Sequence, residues 1–412
     1  MRFSGRLSPS RHVLAIASIR WLLLSRLCAD LFFYSTTIVR FQQERGLNFT
    51  AMFVMESFLS ASIWLADLPT SIWADRFGYR RMIILGHFCS LLGLLCFLFA
   101  HGFWWFALSN VIGGLAIACT SGCEGALLYQ SLPAERRETL GGAAFTLLRL
   151  ASTCGFFLGL LPSSWIGAYS PALAVALSLI PTLCSLLAAW RVQEPSTQAA
   201  TADQDHHATP VRTSMLEIIK LALKTIRQQP ALVSMKIFSS ATFALVNAVF
   251  WYNQPYFSRA GLPVAWFGPA MALALACQFL VLFRLPWLQQ RISTRILLAI
   301  SCGVPGLAYI LLVLAHQPLL AILLIACIVA FSVWQDPLIN HQLNQRIPDQ
   351  SRATTLSGLS LIGSLTATWL NPWIGLLGDQ GLNITGPGLG ASLLLLAALI
   401  PLLIQRNKKN DP

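Results

Sequence analysis

Apolar runs, each about as long as a bilayer is thick, alternate with short polar segments along nearly the whole chain. A spanning helix needs about 20 mostly apolar residues. Twelve runs meet that length: roughly 14–38, 50–72, 82–100, 103–128, 141–162, 171–190, 231–253, 265–285, 294–314, 318–338, 353–376 and 388–404. They fall six and six about the longest polar stretch, Val192 to about Arg227. That stretch begins QEPSTQAATADQDHHATP, a flexible-linker composition. Leu216, Ile219, Leu223 and Ile226 then have the spacing of a short amphipathic surface helix. The expected organisation is a bundle over 1–191, a linker over 192–227 and a second bundle over 228–412.

Composition points the same way. Charged residues are 11% of the 412 and hydrophobic ones 56%, whereas a soluble domain carries about 25% charged residues. So little charge cannot coat a soluble surface, and an all-α membrane protein is expected. The net charge of +12 does not indicate nucleic acid, because the basic residues sit in short clusters between apolar runs. Their distribution instead reports orientation. With the N-terminus inside, 20 Lys and Arg fall in cytoplasmic segments, and only Arg40, Arg45 and Arg259 fall outside. Both termini are therefore expected in the cytoplasm. The first apolar run contains Arg20, Arg26 and Asp30, and reads as a retained helix rather than a signal peptide. All ten Cys lie in apolar stretches without metal-site spacing. His206 and His207 read as solvated linker residues. No metal or cofactor is expected.

The two halves repeat at one fixed offset of 215. Gln130, Pro133, Arg137 and Thr139 align with Gln345, Pro348, Arg352 and Thr354. Gly46-Leu47 aligns with Gly261-Leu262, and Arg76 and Arg80 with Arg291 and Arg295. Three separate loops agree, which predicts two parallel six-helix repeats. Transporters of that design bind substrate between the halves.

Ionisable residues inside spans are costly, and each is a functional candidate. Arg26 and Asp30 lie near the middle of span one, four residues apart and on one face. Glu56 lies in the outer part of span two, Glu124 toward the inner end of span four and Arg149 near the middle of span five. Lys236 and Asp336 lie nearer the inner ends of spans seven and ten. Arg149 is the nearest expected partner of Glu124. Lys236 reads as snorkelling to headgroups or as a substrate contact. Trp251, Tyr252, Asn253, Gln254 and Tyr256 cluster at the outer end of span seven, as substrate contacts, an outer gate or an aromatic belt.

The segment Ala66–Met82, ADLPTSIWADRFGYRRM, resembles the loop signature of the major facilitator superfamily. Ala74, Asp75, Arg76, Gly78, Arg80 and Arg81 fit it, while Ser71 replaces a Gly and Tyr79 an Arg. The preceding LADLPT, with Asp67, resembles one bacterial branch, as do SGCEGALLYQSL and RATTLSGLSL. The resemblance implies that Asp75 acts as a cytoplasmic gate element. It also implies that helices one, four, seven and ten line a central cavity, which places Arg26, Asp30, Glu124, Lys236 and Asp336 on helices able to face it. Two departures stand out. Gly155 and Gly159 are present in span five without a Gly-Pro dipeptide, and Asn110 stands near where many drug–proton antiporters carry an Arg.

The expected function is secondary transport: export of a drug or metabolite from a bacterial cytoplasmic membrane, driven by protons, by a monomer. Asp30 and Glu124 are the proton-coupling candidates. Exporters of carboxylate-bearing, siderophore-like metabolites and nutrient importers are the alternatives. A membrane enzyme or sensor is disfavoured, because the sequence shows no catalytic triad, HExxH, phosphate loop or extramembrane domain.

Overall fold

The computed structural model describes residues 9–194, 230–347 and 352–408. Beyond Glu194, the expected linker, with its two His and amphipathic helix, lies outside the described residues. Those residues are helical, with no strand among them. In order the helices are α1 Pro9–Leu14, α2 Ala17–Ala29, α3 Ile38–Gln43, α4 Phe49–Phe77, α5 Tyr79–Phe99, α6 Phe103–Gln130, α7 Arg137–Tyr169 and α8 Pro171–Arg191. They continue as α9 Pro230–Asn247, α10 Val249–Arg259, α11 Phe267–Phe283, α12 Leu285–Gln289, α13 Thr294–Leu311, α14 Pro318–Ser332, α15 Gln335–Arg346, α16 Arg352–Asp379 and α17 Leu382–Lys408.

Among the described residues, ten helices are long and apolar enough to cross a membrane. Large apolar side chains such as Phe99, Trp104, Leu280, Phe283 and Leu319 stand exposed on them, which suits helices whose solvent is lipid. The expected eleventh span corresponds to α16, 28 residues long.

The first expected span is not one helix. α2 stops at Ala29 and α3 starts at Ile38, with irregular backbone between them. The break is accommodated by tertiary contacts. A Cβ on Gly159 of α7 would lie 2.7 Å from the Phe32 carbonyl oxygen, and one on Gly155 would meet the Leu27 carbonyl. Gly155 thus lets the α7 backbone approach the last turn of α2, and Gly159 lets it approach the broken segment, as small residues do between membrane helices. The freed Phe33 N–H donates to Ser178 Oγ of α8 at 2.9 Å. Non-helical backbone at membrane depth persists only where protein or water satisfies it.

The chain divides into two compact units, Met1–Ser35 with Phe58–Arg212, and Thr36–Ser57 with Thr213–Pro412. The first packs α2 against α7 and α8, and α5 against α6 and α8, around a core that includes Ile19, Leu22, Ile83, Leu127 and Ala144. The second packs α9 against α16 and α13 against α17, with Leu297, Cys302, Leu338 and Leu359 in its core. Its segment 36–57 is held by caps from distant residues. Gln254 Oε1 accepts from Val39 N at 3.1 Å and Arg40 N at 3.3 Å, at the start of α3. The Asp379 carboxylate accepts from Phe49 N at 2.7 Å and Thr50 N at 3.1 Å, at the start of α4. Both satisfy N–H groups that a helix start leaves without partners.

The 215-residue repeat recurs as geometry. Leu47 N donates to Gln42 O, and Leu262 N to Phe257 O. Gly46 N donates to Gln43 O, and Gly261 N to Ser258 O. Both glycines have positive φ, 83° and 77°. Each set is the same Schellman ending, residue for residue at that offset.

Candidate functional site

α2 places Arg26 in its last turn, where a cation is favoured by the helix dipole, and Asp30 just past its end, where an anion is not. Arg26 compensates for that: its Nε lies 2.9 Å from Asp30 Oδ2. The same guanidinium reaches α6, with Nη1 3.2 Å from Glu124 Oε2. The expected Arg26–Asp30 pair is thus part of a triad. The expected Glu124–Arg149 contact does not form, because the nearer guanidinium comes from α2. Arg149 is exposed on α7, with no ion pair among the described residues.

The triad is graded in access. Side-chain exposure is 31% for Arg26, 21% for Asp30 and 7% for Glu124. Glu124 Oε1 is buried without a hydrogen-bond partner among the described residues. One guanidinium faces two carboxylates, so the group carries one surplus negative charge when both are ionised. One proton, or one cationic group, brings it to neutrality.

Beside the triad, Ser25 Oγ lies 2.9 Å from His87 Nε2 of α5 and donates to the Ser185 carbonyl of α8. Sequence reasoning passed over His87, 2% exposed, because nothing in its local pattern marks it. This buried cluster ties α2, α5 and α8 together one residue before Arg26.

The loop signature forms a turn at Gly78, φ 92°. Asp75 is exposed and makes no ion pair with Arg76 or Arg80. Arg80 Nη2 instead donates to the Trp190 carbonyl at 2.7 Å, and Arg76 lies over the Phe77 ring. Arg81 is exposed, as is Asp67. Glu194, a residue the sequence did not single out, accepts from Tyr79 N at 2.9 Å and caps α5. A Cβ on Gly78 would lie 2.7 Å from that carboxylate.

In the second unit, Glu56 is half-buried without an ion pair, and Asp336 is exposed. Tyr252 and Gln254, expected as substrate contacts, are buried and committed to protein partners. Tyr252 Oη donates to the Ile374 carbonyl at 2.6 Å, and its ring lies 5.0 Å from that of Phe49. Trp251 is half-buried, 5.8 Å from the ring of Phe53. Lys236 on α9 is half-buried, with no hydrogen bond or ion pair among the described residues.

Comparison with known proteins fits this architecture. The multidrug resistance protein MdtH of Salmonella typhi is 30% identical over 147 residues, 35% of this chain and 34% of that protein. MdtH of Shigella dysenteriae is 28% identical over 148 residues, again 34% of its length. The matched region therefore spans about a third of these relatives. Among solved structures, a point mutant of the nucleoside transporter NupG superposes with a TM-score of 0.74 at 14% identity, covering 95% of this chain and 98% of that one. The POT family transporter PepTSo superposes at 0.70 and 12% identity, covering 96% and 99%. At such identities these likenesses establish the fold. The Major Facilitator Superfamily profile matches residues 21–369, and the chain belongs to that superfamily of multi-pass membrane transporters.

Proposed function

We propose that the chain is a proton-coupled exporter of a small molecule, a drug or a metabolite, working by alternating access as a monomer. Its place is a bacterial cytoplasmic membrane, with both termini inside as the Lys and Arg distribution indicates. The observation that carries coupling is the triad, in which Arg26 serves both Asp30 and Glu124. A carrier that exchanges protons for substrate needs a group ionised in one step and neutral in another. In this reading the two carboxylates that share one guanidinium provide it. Export is supported by the partial similarity to MdtH, named as a multidrug resistance protein.

Asp75 and the signature loop, Arg76 to Arg81, bias the conformational equilibrium in this reading rather than touch substrate. Export of a carboxylate-bearing, siderophore-like metabolite is the second reading, favoured by Arg149 and Lys236, cations without an ion pair among the described residues. Nutrient import fits the fold equally, since NupG is a nucleoside transporter. Proteoliposomes with an imposed pH gradient test the proposal. Glu124→Gln is expected to abolish gradient-driven transport and preserve substrate-for-substrate exchange. Gradient-driven transport that survives in both Glu124→Gln and Asp30→Asn points to a uniporter or another driving ion.

A further inference from the structure

Lys236 is an ammonium inside a spanning segment for which the described residues supply no counter-charge. It lies six residues into α9, about 9 Å from the start of that helix at 1.5 Å per residue. A lysine at that depth ordinarily snorkels back toward the near interface, and the Cα–Cβ bond already tilts that way. Lys236 does the opposite. Its Cε and Nζ lie against Gly363 of α16 together with Ser240 Oγ, one turn deeper along α9. A Cβ at position 363 would sit 2.6 Å from Lys236 Cε, 2.7 Å from Ser240 Oγ and 3.3 Å from Lys236 Nζ. Gly363 is thus the bare floor that lets the lysine turn inward. The Ser240 hydroxyl, on a residue 9% exposed, has no hydrogen-bond partner among the described residues.

A half-buried ammonium without a counter-charge and a hydroxyl without a hydrogen bond, both against one glycine, leave donor capacity unused among the described residues. Leaving such groups uncompensated inside a membrane is expensive. We infer that Lys236 and Ser240 form a subsite for an anionic group, a carboxylate, on the transported molecule. Lys236 supplies the charge, Ser240 supplies a directional hydrogen bond, and Gly363 lets both side chains pack against the α16 backbone. The inference rests on the transporter reading and narrows its substrate class to organic anions.

The test uses two probes of one shape and opposite charge, anthracene-9-carboxylate and anthracene-9-methylammonium. Their fluorescence reports binding to the full-length protein in phosphatidylcholine nanodiscs. A charge-assisted hydrogen bond corresponds to about tenfold in affinity or more, so wild type should favour the carboxylate by at least about that factor. Lys236→Gln should erase the preference, leaving ammonium binding unchanged or tighter, and Lys236→Arg should keep it. Ser240→Ala, which retains the lysine charge, should weaken carboxylate binding by about tenfold, the size of a hydrogen bond to a charged group. Wild type that binds neither probe, prefers the ammonium, or keeps its preference in Lys236→Gln would overturn the inference.

Nanodiscs containing phosphatidylglycerol separate a substrate from a lipid headgroup. If that lipid abolishes carboxylate binding in wild type, and Lys236→Gln removes its effect, the site belongs to the headgroup and the inference fails. The transporter reading fails separately, if the same wild-type protein binds the carboxylate yet moves neither probe in proteoliposomes under any pH gradient.

Discussion

The Arg26 triad of the first unit and the Lys236 corner of the second solve the same problem in opposite ways. Both put a cation in an apolar segment that the sequence expects to span the membrane. Around Arg26 the chain supplies more anion than needed, two carboxylates for one guanidinium. Around Lys236 it supplies none among the described residues. A cation whose counter-charge is built in is a structural element as well as a chemical one. A cation without counter-charge is left to something that arrives. The proposed reading gives proton handling to the first unit and anion handling to the second, and it predicts that the same kind of substitution has different consequences in each.

The largest effect is expected from Arg26→Gln, which strands Asp30 and Glu124 together. Breaking a buried ion pair costs about 3–5 kcal/mol, and the low end applies because the Arg26 side chain is 31% exposed. Thermal unfolding in detergent should show a large loss, most of it recovered in Arg26→Gln with Glu124→Gln. Equal instability of single and double variants would break the comparison on the first side. Lys236→Gln should behave oppositely, with stability unchanged or raised by up to about 1 kcal/mol, because it removes a charge that no fixed group compensates. A loss as large as that of Arg26→Gln would mean that Lys236 has a structural counter-charge.

Smaller effects come from the caps. Asp379→Ala should cost about 1–2 kcal/mol, the usual range for an N-cap, and should speed amide exchange at Phe49 and Thr50, whose N–H groups it frees. Protection unchanged at those amides would show that Asp379 is not the cap. Asp75→Asn should be the mildest for stability, within about 0.5 kcal/mol as for an exposed site. It should still slow turnover more than it weakens binding, since it biases an equilibrium between states. A selective loss of equilibrium binding would contradict the gate role.

The sequence reveals those parts of the fold that are local. Span lengths, the Arg26–Asp30 spacing and the paired glycine endings at Gly46 and Gly261 all follow from nearby residues. The break after Ala29 does not. The run LFFYSTT is apolar enough to continue a helix, and the residues that accommodate its irregular backbone, Gly159 and Ser178, lie more than a hundred residues away. Glu124 shows the same limit. Its candidate partners were countable from the chain, but the choice of Arg26 over Arg149 depends on how α2 and α6 pack. His87 and Glu194 carry no local signature, because their partners are a serine pair and the start of α5. The inward turn of Lys236 depends on Gly363, a residue unremarkable among the 27 glycines of the chain.

Infrared titration of the purified protein tests the proton site most directly and needs no substrate. Difference spectra between acidic and alkaline buffer report the stretching band of a protonated carboxyl group, and subtracting a variant assigns it. A carboxyl band that changes between the two buffers is expected in wild type, lost or shifted in Glu124→Gln and altered in Asp30→Asn, because the two carboxylates share Arg26. A wild-type spectrum indistinguishable from those of both variants would contradict this expectation, and the triad would then be a fixed ion cluster with no part in coupling.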